Sequence, residues 1–154
     1  MNQLYYQYPG TWFGDCMPYG KGDECYLFHQ RDNRNPCPFG EPFGWDLATT
    51  SDFVNYKDMG TATPRGTDEE QDQFIYAGSI FEGKGQYHAF YTGYNRDYPK
   101  QGKASQVLMH AASDDLVHWK KTQDKLTFTP QEGYDPDDWR HPFVLRDDEN
   151  DQYL

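Results

Sequence analysis

The sequence predicts an all-β fold built from successive propeller blades, and three observations carry that prediction. A nine-residue stretch recurs. "ATTSDFVNY" at 48–56 lies opposite "AASDDLVHW" at 111–119 with every pair 63 apart, so Ala48 meets Ala111, Asp52 meets Asp115, Val54 meets Val117 and Tyr56 meets Trp119. Short alternating runs rich in Tyr, Phe and Val are separated by the turn formers "YGKGDE", "EGKGQ" and "RDDEND", which is the rhythm of β-hairpins. Aromatic residues make up 18% of the chain, and each buries a large area when packed. A unit of 63 residues holding about four short strands has the size of one blade with generous loops. A β-sandwich with accidentally similar hairpins is the other all-β reading.

Taken in order, the repeat divides the chain into copies at 13–75, 76–138 and 139–154, within one partial propeller domain over residues 1–154. The first copy opens on "WFGDCMPYG" and continues through "YLFHQ" at 26–30, which lies opposite "AFYTG" at 89–93 with a one-residue slip. The third copy begins with "FVLRDDENDQYL" at 143–154, which follows "IFEGKGQYHAFY" at 80–91. The only helical feature expected is a single turn at 112–117.

Charge and composition exclude several functions. With 14 basic and 25 acidic residues the net charge is −11, so the chain lacks the basic footprint of a nucleic-acid binder or of a protein drawn to anionic membranes. The aliphatic core formers are scarce, with only two isoleucines and four valines; such a level in a charged chain can signal disorder, and the aromatic content overturns that reading. Aromatic rings with polar tips also suit a site that stacks on sugars. The start, "MNQLYYQYPG", has neither a basic segment nor an apolar run, so no secretory leader is read there and a cytoplasmic location is expected. Cys16, Cys25 and Cys37 are odd in number and show no CxxC spacing; they read as reduced thiols. His29, His88, His110, His118 and His141 show no ligand spacing. No metal and no cofactor is expected.

The 63-residue offset links three further positions. Asp15 in "WFGDCMPYG" falls opposite Gly78 in "IYAGSIFEG", and Gly78 falls opposite His141 in "DWRHPFVLR". All three stand near the start of a blade's first strand. That strand lines the central channel of a propeller, so Asp15 and His141 are expected to look into one funnel.

These segments resemble the N-terminal part of the glycoside hydrolase family 32 catalytic domain, a five-bladed β-propeller of β-fructosidases. "WFGDCMPYG" looks like the family's W-x-N-D-P-x-G, with Trp12 and Asp15 in register; "LFHQRDN" is similar to L-F-Y-Q-Y-N and places Gln30 at the glutamine. "WDLATTSDFVNY" fits W-G-H-A-x-S-x-D-L-V-H-W without a gap from Trp45, "AGSIF" resembles the S-G-S segment at Ser79, "FYTG" matches outright, and "WRHPFV" stands where the family has R-D-P. The resemblance implies a partial five-bladed propeller of about two and a half blades, and hydrolysis of sucrose or fructans with retention. That chemistry needs two carboxyl groups about 5 Å apart, one attacking the anomeric carbon and one protonating the leaving oxygen. By the same resemblance Asp15 is the nucleophile, Trp12, Gln30, Trp45, Ser79 and Arg140 line the sugar pocket, and His141 occupies the place of an aspartate that holds sugar hydroxyls in the transition state.

Two departures shape the functional expectation. His141 replaces a carboxylate with an imidazole, which removes negative charge from the neighbourhood of an oxocarbenium-like centre and would cost about 10²–10⁴-fold in rate. The family's acid/base glutamate comes after the R-D-P segment, whereas the sequence ends at "DQYL", inside the strand equivalent to "AFYTG". The chain alone is therefore expected to be an impaired β-fructosidase, with open sheet edges that call for a partner: a second copy, or a complementing half-propeller chain. The competing readings are a non-catalytic carbohydrate-binding half-propeller and a self-assembling structural module. A related five-bladed family cleaves arabinans and xylans, usually with inversion; the ungapped match from Trp45 makes it the lesser candidate.

Overall fold

The computed structural model describes residues 6–32, 40–122, 127–135 and 137–154. Cys37 lies outside them. Two four-stranded antiparallel meanders follow one another. The first joins β1 (Trp12–Lys21), β2 (Glu24–Asp32), β3 (Trp45–Thr50) and β4 (Lys57–Thr63) in sequence order; the second joins β5 (Phe74–Gly83), β6 (Gln86–Tyr94), β7 (Gln106–Ser113) and β8 (Trp119–Lys121). A hairpin of β9 (Arg146–Asp147) and β10 (Gln152–Tyr153) opens a third unit. It is extended by reciprocal backbone bonds between Leu145 and Leu154. Meanders repeated in this way are propeller blades, and the chain is a partial β-propeller. Among the described residues the helical content is one 3₁₀ turn, Tyr98–Gln101, and no helix is long and apolar enough to cross a membrane.

The repeat detected in the sequence has a physical cause. In blade 1 the Asp52 carboxylate accepts the backbone N–H groups of Val54 (2.9 Å) and Asn55 (2.7 Å), while Thr50 Oγ1 accepts from Phe53 N–H (2.9 Å). In blade 2 Asp115 accepts from Val117 (2.8 Å) and His118 (2.7 Å), and Ser113 Oγ accepts from Leu116 N–H (3.0 Å). Phe53 and Leu116 both take positive φ, 55° and 68°. A carboxylate two residues after a hydroxyl thus folds the same bend twice. The single helical turn expected at 112–117 is this bend: the Asp115 carboxylate holds N–H groups that a helix would give to carbonyls, and the left-handed Leu116 interrupts any helical path.

Two of the turns expected from sequence close β-hairpins of two residues. Lys21 pairs with Glu24 and Gly83 pairs with Gln86. In the second turn both central residues, Lys84 (52°) and Gly85 (79°), take positive φ, the pattern that matches strand twist and for which glycine is well suited. These hairpins are 62 residues apart rather than 63. The slip in the sequence repeat therefore falls between the second and third strands of the blades.

The core lies between the blades. Met17, Phe28, Trp45, Leu47 and Ala62 of blade 1 form one buried cluster with Ile75, Tyr87, Ala89, Tyr91, Ala111 and Leu116 of blade 2. Trp45 meets Tyr91 edge-on at 5.9 Å, and Phe28 meets Trp119 at 5.6 Å. This aromatic interdigitation makes up for the scarce aliphatic residues, since each ring buries a large apolar area. The positions of Met17, Phe28, Trp45 and Leu47 correspond in blade 2 to Ser79, Phe90, Leu108 and His110. The same register thus presents an apolar surface from the first blade and a mixed one from the second. On the latter, Phe81, His88, Phe90 and His110 stack in a run, and Tyr153 of the third unit packs on Phe81 at 5.2 Å.

Candidate functional site

The first strand of each blade carries Trp12 and Asp15 (β1) or Ser79 (β5), and the two strands are interrupted at the same place. In β1 the register shifts between Phe13, opposite Arg31, and Cys16, opposite His29; in β5 it shifts between Tyr76, opposite Thr92, and Gly78, opposite Tyr91. Each shift is a β-bulge, a device that re-aims side chains next to functional sites. Gly14 and Asp15 form the first bulge and Ala77 the second. With hairpins 62 apart, the counterpart of Asp15 is Ala77, not Gly78 as the 63-residue offset predicts. In the third unit Asp147 occupies the place of Gly83, a shift of 64, so the counterpart of Ala77 is His141. The two irregularities cancel: counted back from the hairpins, His141 lies two repeat units after Asp15, in the segment that precedes β9.

Asp15 is exposed and is approached by the buried Gln30, whose Nε2 donates to Asp15 Oδ2 at 3.5 Å, the long limit of a hydrogen bond. This approach requires a glycine beside it. A Cβ at position 14 would stand 2.9 Å from both Cβ and Oε1 of Gln30, which no real contact tolerates, so any larger residue would push the amide away from the bulge. Trp12 opens β1 and is 60% exposed, a large apolar side chain in reach of solvent.

The other candidates are drawn inward. Trp45 is fully buried, and its indole N–H donates to the Tyr76 carbonyl at 3.2 Å, tying the third strand of blade 1 to the bulge of blade 2. Ser79 is buried as well; its hydroxyl accepts the backbone N–H of Val144 at 3.2 Å. His141 is exposed, takes φ 58°, and its backbone N–H donates to Thr92 Oγ1 at 2.9 Å. Arg140 is exposed and paired with Asp138 at 2.5 Å. Its guanidinium also acts on Tyr76. Burial pushes that phenol up to about 12, with Tyr94 adding to the shift, Arg140 opposing it and Asp32 adding a little more.

The structure thus brings Gln30 to Asp15, and brings Trp45, Tyr76, Ala77, Thr92 and His141 into one hydrogen-bonded sequence. It joins Ser79 to the backbone beyond His141. Sequence reasoning missed Gly14 and Thr92. The slip between "YLFHQ" and "AFYTG" was the signal that pointed to Thr92, because a shift of 62 places it opposite Gln30. Cys16 and Cys25 are free thiols.

Comparison with known proteins agrees with the fold. Exo-inulinase from Aspergillus awamori superimposes with a TM-score of 0.74 at 21% identity, over 99% of this chain and 34% of that one. Sucrose-6-phosphate hydrolase from Lactobacillus gasseri gives 0.59 at 22% identity, over 77% and 24%. CoXyl43, a GH43 β-xylosidase/α-arabinofuranosidase from a compost microbial metagenome, gives 0.67 at 12% identity, over 99% and 44%. The chain therefore spans between about a quarter and less than half of the length of these structures. No curated protein sequence matches it. The family model "Glycosyl hydrolases family 32 N-terminal domain" matches residues 11–154, from the residue before Trp12 through both bulges and the His141 segment, and the chain belongs to that family.

Proposed function

We propose that this chain recognises β-fructosides such as sucrose or fructans and belongs to a retaining glycosidase, with Asp15 as the nucleophile. The observation that supports this most is the Gly14–Asp15 bulge on the innermost strand, with the buried Gln30 amide directed at the carboxylate. A nucleophilic carboxylate needs a fixed direction of attack, and an amide donor beside it helps to orient it. Trp12 supplies an exposed stacking face, and Arg140 a donor for a sugar hydroxyl. Trp45 and Ser79 hold the wall from behind. The carboxyl group that protonates the leaving oxygen is not assigned to a residue of this chain.

His141 favours a second reading, sugar binding without turnover. A neutral imidazole offers one donor and one acceptor, where a carboxylate accepts twice and opposes developing positive charge. The deciding experiment measures reducing-sugar release from sucrose and inulin, and sucrose binding by calorimetry, for wild type, His141→Asp and Asp15→Ala. Hydrolysis that rises at least about ten-fold in His141→Asp and is abolished in Asp15→Ala supports the catalytic reading. Saturable binding with no release from any variant supports the binding reading. Neither binding nor release overturns both, and full hydrolysis by Asp15→Ala removes the nucleophile assignment.

A further inference from the structure

We propose that Thr92 is the positioning residue that fixes His141 at the sugar site; this rests on the functional reading above. Thr92 is fully buried in β6, and its hydroxyl has two partners. It donates to the carbonyl of Ala77, the bulged residue of β5, at 3.2 Å, and it accepts the backbone N–H of His141 at 2.9 Å. One hydroxyl therefore spans the inner strand of blade 2 and the first segment of the third unit. It does so where His141 adopts φ 58°, a conformation that costs a non-glycine residue free energy and persists only when its surroundings impose it. Such strain clusters at functional sites. Thr92 is also the register counterpart of Gln30: each is the second-strand residue beside its blade's bulge, and Trp45 and Leu108, the cross-strand partners of Gln30 and Thr92, are related by the repeat. In blade 1 that position addresses a carboxylate side chain. In blade 2, where the bulge offers only alanine, it addresses backbone on both sides and so carries the next candidate side chain.

Replacing Thr92 by valine keeps the shape and removes the hydroxyl, leaving the Ala77 carbonyl and the His141 amide without this partner. The test uses the whole chain, with wild type, Thr92→Val and Thr92→Ser. Sucrose affinity by calorimetry is expected to weaken about ten-fold or more in Thr92→Val and to return to within about three-fold of wild type in Thr92→Ser. Rescue by the smaller hydroxyl residue is a result that lost packing alone would not give. Hydrogen exchange at the His141 amide is expected to be slowed in wild type and in Thr92→Ser, and at least about ten-fold faster in Thr92→Val. Unchanged sucrose affinity in folded Thr92→Val overturns the proposal. So does an unprotected His141 amide in wild type, a measurement that remains decisive if the valine variant does not fold. A wild-type chain that binds no sucrose, yet shows the protected amide lost in Thr92→Val, removes the functional reading while keeping the Thr92–His141 contact.

Discussion

Acidifying the protein from pH 7 to pH 5 should weaken it by about 2 kcal/mol through one buried imidazole, His110. His88 Nε2 lies 3.0 Å from the Gly83 carbonyl, so that nitrogen carries a proton and donates. His88 Nδ1 is then an acceptor for His110 Nε2–H at 3.0 Å, and the Thr122 hydroxyl, which donates to the His110 carbonyl at 3.2 Å, stands 2.9 Å from His110 Nδ1. The donors run one way from His110 through His88 to Gly83. A proton added to His88 Nδ1 would set two N–H groups against each other, and a proton added to His110 would bury a charge. Burial first, and then the neighbouring His88, lowers the His110 pKa to about 4. In the unfolded chain it titrates near 6.5, so between those values the unfolded state binds more protons and folding stability rises with pH. The contribution is complete above about pH 6.5 and lost as pH falls toward 4; integrated from pH 7 to 5 it is about 2 kcal/mol. Urea unfolding at the two pH values measures it. His110→Leu, which installs the residue found at the matching place in blade 1, Leu47, should flatten the dependence by that amount. Equal pH dependence in wild type and His110→Leu would refute the reasoning, as would a His110 ring titrating above pH 6 by NMR.

Two further outcomes are expected. Asp115→Ala should destabilise the chain by about 1–2 kcal/mol in the same unfolding assay, because the carboxylate holds two backbone N–H groups and the His118 ring, much as a helix-capping residue does. Asp72 is buried, accepts from the Tyr91 hydroxyl at 3.2 Å and pairs with Lys121 at 2.5 Å; Asp72→Leu should cost about 3–5 kcal/mol by leaving the lysine without its counter-charge, with Lys121→Met partly relieving that loss in the double variant.

The sequence exposed the blades more readily than the site. The bend after the third strand needs a hydroxyl, a carboxylate two residues later and the N–H groups that follow, so Thr50–Asp52 and Ser113–Asp115 recur with fixed spacing and announce the period. The inner strands obey no such spacing rule. The connection between the second and third strands is one residue longer in blade 2, so the 63-residue period of the outer bends sets Asp15 opposite Gly78 when its counterpart in strand register is Ala77. Trp45 and Ser79 read as pocket residues from their motifs, yet their burial depends on what the neighbouring unit places over them. Gly14 and Thr92 act through the absence of a Cβ and through a backbone contact 49 residues away, and neither leaves a local pattern.

The unlike faces of the two blades act as a key. A plate that offers Met17, Phe28, Trp45 and Leu47 and a plate that offers Ser79, Phe90, Leu108 and His110 cannot be exchanged without stranding polar groups against grease. Tandem arrays built from near-copies are prone to stacking out of sequence; unlike faces at successive joints disfavour that error.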